Sequence, residues 1–370
     1  MKILVASDLH LSDRIWRHRL IMGDSYHAWK QIIQIALDNE VDAVILAGDV
    51  LDAQSNVAEP IRELIVGIRQ LQEKNIPVYY NQGQHEYQRV PWLAAVPGTV
   101  WLQTTDLVSP EGWRIAGCDY QNREGLQTFL QSDRATSADI LVCHQVWAEF
   151  MGDVGKPQGA FTDIPENVQM LITGDYHETI IKRQEDLIVI SPGSTHFRSV
   201  SEPEDKSVVL LSLASRKAKP VIKLIPLATR RRINVTVRED STFVTLKTLI
   251  GSGLSAAADY GLEHNLPAEI ARPLLWVTFQ SEQHNLLSWL QLQFTERAHC
   301  FFRQRLNSGT EEPDILQHMD ASERVNMLCC LDKVVDAQAS PEVYKLALAL
   351  LSGPDPEQSL QRWIGEQTCK

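Results

Sequence analysis

The stretch Ala43-Val44-Ile45-Leu46-Ala47-Gly48-Asp49 decides how this chain is read. Five apolar residues with no polar interruption predict a strand buried on both faces, as in a parallel sheet. An aspartate after such a run is costly unless it is paired or holds a metal ion. The glycine before it lets backbone and ions approach closely. Four further apolar runs end in the same manner. Residues 2–7 lead into Asp8-Leu9-His10, and residues 78–81 lead into Gly83-Gln84-His85-Glu86. Ile140-Leu141-Val142-Cys143 is closed by His144, and residues 170–173 lead into Gly174-Asp175-Tyr176-His177. Taken singly, each acid has a plain alternative as a turn or helix cap, and each histidine as a structural residue. Five in series, each after an apolar run, amount to a site.

The donors are oxygen and imidazole, with no thiolate pair. That set favours hard or borderline divalent ions, Mn²⁺ first, with Mg²⁺ or Fe²⁺ as alternatives. In Asp8-x-His10 the two side chains project to the same side of an extended segment, so one ion can take both. Asp49 is placed to bridge two cations. A ligand set of this kind suits two-metal hydrolysis of a phosphate ester. His85 is a candidate acid for the leaving oxygen, or a positive group on the phosphate.

Working outward, helical periodicity is predicted over residues 26–40, with Trp29, Ile32, Ile33, Ala36 and Leu37 on one face. A second helix is predicted over 59–75, with Ile61, Leu64, Ile65, Ile68 and Leu71 on its stripe. Further strands are predicted at 114–118 and 187–191. This alternation predicts a parallel α/β sheet, in which ligands gather at the carboxyl ends of strands. From about residue 206 the texture changes to strands without intervening helices, at 208–213, 221–225 and 233–237. Arg230-Arg231-Arg232 marks a domain edge and is a candidate grip on phosphate. Beyond it a strand is expected at 274–279 and a helix at 285–306, read as core-packing. The expected domains are 1–228, the metal-bearing unit, then 229–308, a smaller α/β cap, and 309–370, a helical tail. Gly251-Ser252-Gly253-Leu254-Ser255-Ala256 fits a dinucleotide-binding spacing but is read as a flexible loop. His18, His27 and His196 could approach substrate, but nothing in the sequence places them there.

The chain has 370 residues with 35 basic and 47 acidic side chains, a formal charge of −12. Binding nucleic acid by bulk charge alone would need a basic chain, so any such contact must be local. The six cysteines are sparse and form no C-x-x-C pair, which fits a reduced compartment without a disulfide framework. No run approaches the ~18 apolar residues of a membrane span. The N-terminus reads as a strand and not a signal peptide. A soluble, cytoplasmic protein is expected.

The series D-x-H, GD, G-Q-H-E, H and G-D-x-H resembles the signature of the calcineurin-like metallophosphoesterases over residues 1–200. The resemblance implies a four-layer α/β sandwich. It also implies one ion on Asp8, His10, Asp49 and His177, and a second on Asp49, Gln84, His144 and Asp175. His85 would assist the departing oxygen. Two positions depart from the family, Gln84 where asparagine is expected and Asp175 where histidine is expected. Both fall on the second ion, so an altered second site is expected. Within the superfamily the chain is similar to SbcD-type nucleases, through Asp24-Ser25-Tyr26 opening the first helix and the Pro192-Gly193-Ser194 loop. That implies a DNA exo/endonuclease subunit, dimeric, working with an SbcC-like coiled-coil ATPase. A small-substrate phosphodiesterase, or a DNA-end scaffold with a lapsed second site, are the alternatives.

Overall fold

The computed structural model describes residues 1–12, 23–52, 58–151, 157–199, 202–216, 218–280 and 284–304. The described residues fall into two compact units, one running to Thr229 and the other beginning at Arg230, with Arg198 and Ser199 grouped with the second. The expected helical tail at 309–370 lies outside the described residues, as do His18 and the Cys329-Cys330 pair.

The first unit contains two six-stranded sheets. Its strands are β1 (Lys2–Ala6), β2 (Ala43–Ala47), β3 (Val78–Asn81), β4 (Thr99–Trp101), β5 (Leu107–Val108), β6 (Arg114–Cys118), β7 (Ile140–His144), β8 (Met170–Gly174), β9 (Ile180–Gln184), β10 (Leu187–Ser191), β11 (Lys206–Ser212) and β12 (Val221–Leu227). One sheet has the order β12-β11-β1-β2-β3-β4, the other β5-β6-β7-β8-β10-β9. Strands β1 to β4 are mutually parallel, as are β6, β7, β8 and β10. The helix-free stretch supplies an antiparallel edge, β11 on β1 and β12 on β11.

Strand alternation explains why the runs are apolar on both faces. Ile3, Val5, Ile45 and Ala47 pack against Ile115, Ile140, Val142, Ile172 and Ile190 between the sheets. Leu4, Ala6, Val44 and Leu46 point the other way, onto Trp29, Ile32, Ile33, Leu64 and Ile68 of the helices α1 (Asp24–Asp38) and α2 (Ala58–Gln72). On the far side Leu141, Cys143, Leu171 and Val189 pack on Leu126, Phe129 and Leu130 of the helix Arg123–Leu130. The order of layers is helix, sheet, sheet, helix. At about 25 cal/mol per Å² of apolar surface, burial on both faces makes these strands the main source of stability.

The second unit holds three parallel strands, β13 (Arg232–Val237), β14 (Leu274–Phe279) and β15 (His299–Gln304), in that order. The structure corrects two of the sequence-based expectations. The helix expected over 285–306 stops at Phe294, and His299–Gln304 is a strand. Phe301 there stacks on Trp276 at 5.6 Å, a pairing across strands that a helical stripe does not offer. The Gly251–Ala256 segment is not a loop; it lies inside the helix Phe243–Glu263. A βαβ setting does exist, but the glycines sit mid-helix, far from the strand-to-helix turn where phosphate is bound. A Cβ on Gly253 would lie 2.9 Å from Ile233, so that glycine serves close helix-on-strand packing.

Candidate metal centre

All eight candidate residues of the five motifs lie at the carboxyl ends of strands in the first unit. One sheet supplies Asp8 and His10 after β1, Asp49 after β2, and Gln84 and His85 after β3. The other supplies His144 at the end of β7, and Asp175 and His177 after β8. The two sets meet across the seam between the sheets. His144 Nδ1 lies 2.8 Å from the Ala47 carbonyl oxygen, to which it donates, and the Asp175 N–H donates to Asp8 Oδ1 at 3.1 Å. Glycine is required at the crossing points. Gly48 has φ +83°, and a Cβ there would lie 2.2 Å from His144 Nδ1. One on Gly174 would lie 2.3 Å from the Ala47 oxygen.

Four candidates are themselves in the left-handed region: Asp8 (φ 51°), His10 (φ 39°), Asp49 (φ 48°) and Asp175 (φ 75°). Each costs on the order of 1–3 kcal/mol, a strain that persists only where surrounding contacts over-determine it. Strand termini turned this sharply aim consecutive side chains into one small volume.

Asp8, His10, Asp49 and His144 are fully buried. Asp8 Oδ1 lies 3.9 Å from His10 Nε2 and 3.7 Å from His177 Nε2, while the two imidazole nitrogens are 3.4 Å apart. Asp49 Oδ1 accepts the His85 N–H at 3.0 Å, which leaves Oδ2 facing the centre. That oxygen is 3.4 Å from His144 Nε2, 3.6 Å from His10 Nε2 and 3.8 Å from His85 Nε2. Neither Asp49 Oδ2 nor His144 Nε2 has a hydrogen-bond partner among the described residues. Three overlapping groups, Asp8/His10/His177, His10/Asp49/His85 and Asp8/Asp49/His144, could each hold an ion.

These residues fit a pair of divalent cations. Ligand atoms at right angles around a magnesium-sized ion stand ~3 Å apart, so the observed separations of 3.4–3.9 Å need to close by roughly 0.4–0.9 Å. The electrostatics agree. Burial raises the Asp8 carboxyl above its ordinary range, against the pull of His144 and His177. Burial acts to raise Asp49 too, but His144 and His85 hold it below the ordinary range. His144 is held well above its usual range although burial opposes this, because Asp49, Asp8 and Asp175 draw positive charge onto it. A centre that drives a proton onto a buried imidazole is one in which a cation is strongly favoured.

The remaining candidates surround this buried core or lie away from it. Gln84 is exposed at the lip, where its amide donates to Asp175 Oδ1 at 2.5 Å. Asp175 Oδ1 is also 3.9 Å from His144 Nε2. His85 is 4.9 Å from His10, ring to ring, with Nδ1 3.7 Å from Asp52 Oδ1. Arg230 is 1% exposed, and its Nη1 donates to the carbonyls of Glu269 and Arg272 within the second unit, both at 2.6 Å. Arg231 lies over the Tyr260 ring at 4.6 Å, and Arg232 opens β13. His27 is on α1 and His196 is buried.

Sequence reasoning missed the supports. Glu86 accepts the Leu51 N–H at 2.6 Å and the Gly83 N–H at 3.3 Å. Burial, then the nearby Asp49 charge, push its carboxyl up to about 8. Glu202 Oε1 lies 2.9 Å from His177 Nδ1, and its Oε2 takes Lys206 Nζ at 2.6 Å. Burial would raise Glu202, yet His177 and Lys206 hold it down at about 2. Glu86 stands inside the Gly83-Gln84-His85-Glu86 motif, which by itself assigns it no role, whereas Glu202 is a lone acid in a loop with no spacing to flag it.

The family described as the calcineurin-like phosphoesterase superfamily domain matches residues 1–216. The chain belongs to the calcineurin-like phosphoesterase superfamily. Similar relatives bear the name DNA double-strand break repair protein Mre11. That of Methanosarcina mazei is 27% identical over 257 residues, covering 65% of this chain and 40% of the relative. That of Saccharolobus solfataricus is 25% identical over 304 residues, 76% of each. That of Thermoplasma acidophilum is 35% identical over 215 residues, 53% of this chain and 56% of the relative. The chain spans about two fifths of the length of the two Methanosarcina relatives, 40% and 41%. Among the described residues, no helix of this calcineurin-like chain is long and apolar enough to cross a membrane.

Proposed function

We propose that this chain is the metal-dependent nuclease subunit of a DNA-break repair assembly, hydrolysing phosphodiester bonds in DNA as an exo- and endonuclease. It acts as a homodimer with an SbcC-like coiled-coil ATPase, and Mn²⁺ is its preferred ion. The observation that carries this reading is the convergence of Asp8, His10, Asp49, His144 and His177 on one buried centre, in a chain whose relatives are named for double-strand break repair.

In this reading Asp8, His10, Asp49 and His177 hold one ion, and Asp49, Gln84, His144 and Asp175 hold the other. Bound there, the ions supply Lewis acidity to the phosphoryl oxygens and to the attacking water. The protein's own part is positioning. Asp49 offers Oδ2 to both halves because the His85 N–H occupies Oδ1. His144 keeps Nε2 turned inward because its Nδ1–H is spent on the Ala47 oxygen. His85 stands at the partly open side of the centre, with Asp52 behind Nδ1, so Nε2 delivers the proton to the departing oxygen. Residues 229–308 form the DNA-contacting cap, with Arg231 and Arg232 toward phosphate, and residues 309–370 dock the ATPase.

The test is digestion of end-labelled linear duplex DNA in Mn²⁺, with Asp49→Asn as control. Nucleolysis by the parent and none by the variant is expected. Cleavage of a small model phosphodiester without any nucleolysis, even with the ATPase added, would overturn the substrate in favour of a small-molecule enzyme. Silence on both, with DNA binding intact, would favour a scaffold.

A further inference from the structure

His177 is held from behind by a buried chain of polar side chains that no motif announces. We infer that Glu202 and Lys206 are positioning residues for the metal centre, fixing the ring and tautomer of His177 through a Lys206–Glu202–His177 relay. The inference rests on the reading of His177 as a metal ligand. Glu202 Oε1 faces His177 Nδ1 at 2.9 Å, and Glu202 Oε2 takes Lys206 Nζ at 2.6 Å and the Ser194 hydroxyl at 2.9 Å. Lys206 Nζ also reaches Ser194 Oγ at 2.7 Å. Glu202 is 7% exposed and Lys206 is 2% exposed.

A carboxylate at Nδ1 makes that nitrogen the protonated one. The Nε2 lone pair is then directed at Asp8 and His10, 3.7 and 3.4 Å away. The contrast with His144 argues against a purely structural pair. His144 is satisfied by a neutral carbonyl, that of Ala47. If His177 needed only a hydrogen-bond partner, a carbonyl would serve, without burying two charges that cost several kcal/mol each to desolvate. An anionic partner does something a carbonyl does less well: it makes the imidazole a stronger donor to a cation. Lys206 sets a positive charge against that anion at 2.6 Å. The fold brings Lys206 there directly. It opens β11, which runs antiparallel to β1 with Val5 opposite Val209, so it lies toward the end of β1 that leads into Asp8.

The experiment is a calorimetric titration of the chelator-stripped full chain with Mn²⁺, alongside thermal melts of the metal-free proteins. The parent is compared with Glu202→Gln and with the double variant Glu202→Leu/Lys206→Met, which removes both charges at similar volume. The double variant is expected to melt close to the parent and to bind one of two ions about 10–100-fold more weakly. Glu202→Gln, which keeps an oxygen acceptor, loses less. Unchanged Mn²⁺ affinity in both variants, with or without a lower melting temperature, would make the pair purely structural and overturn the inference while leaving the nuclease reading standing. A parent that binds no Mn²⁺ would overturn both.

Discussion

The two halves of the centre are built in different ways. Asp8 and His10 are sealed from solvent, and their neighbour His177 is braced from outside by Glu202. Across from them Gln84 is exposed, and its bond to Asp175 joins the two positions that depart from the family pattern. In the buried half, His177 is aimed by a carboxylate that is not itself a ligand. At the lip, the aiming group and the ligand are each other. The Gln84 amide donates to the Asp175 oxygen that also faces His144, so in the proposed ligand set both side chains would have to exchange that bond for an ion. The contrast is one of preorganisation: the side chains around Asp8 and His10 are buried and braced, whereas Gln84 and Asp175 are held at the surface by each other.

The largest effect is expected where the halves share an atom. Asp49→Asn removes charge from both, and hydrolysis should fall by at least the ~10²–10³-fold that loss of one preorganised electrostatic contact costs. Stopped-time DNA digestion reads this directly, and a fall of under tenfold would mean that Asp49 is not shared. Asp175→His tests the lip alone. Exchanging an oxygen donor for imidazole favours Zn²⁺ over Mg²⁺, and the ratio of the two affinities by competition titration should rise about tenfold at one ion only. An unchanged ratio would remove Asp175 from the ligand set. Gly174→Ala tests the seam, since its Cβ would meet the Ala47 oxygen at 2.3 Å. A cost of about 1–3 kcal/mol is expected from such overpacking, read as a lower melting temperature with weakened metal binding.

The smallest expected effect is a pH slope. Burial and Asp49 raise Glu86 from an ordinary value of 4.5 to about 8 in the folded protein, so the native state holds a proton that the unfolded chain has released. Stability contributed by this group is therefore present below about 4.5 and lost as pH rises toward 8. Melting temperatures in chelator should fall across that window, and Glu86→Gln should flatten the slope. A slope unaltered by the variant would assign it to another group.

Much of this was legible along the chain, and the reason is chemical economy. Ala43–Ala47 is apolar on every residue because both faces are covered, and Asp49 after it had few explanations. The same logic picked out Asp8, His10, His85, His144, Asp175 and His177 as candidates, and the fold gathers them at neighbouring strand ends. Where local pattern serves two structures equally, it failed. His299–Gln304 carries aromatics that suit a helix stripe or a strand, and only the Trp276 stack separates them. The glycines at 251 and 253 read as a break, yet the helix runs through both, with Gly253 closely packed on Ile233. Arg230 reads as a phosphate grip in any basic run, and only the fold shows it buried, with Nη1 donating to two carbonyls.

Residue order alone determined the identity of the strands, the chemistry of the donors and the strand ends that carry them, since burial pattern and donor type are properties of short segments. Which imidazole nitrogen faces the centre, which oxygen of Asp49 is left over, and the recruitment of Glu202 and Lys206 to His177 required the folded chain. Those are contacts between residues far apart in sequence, set by how the two sheets meet at the seam, and no spacing within a segment encodes them.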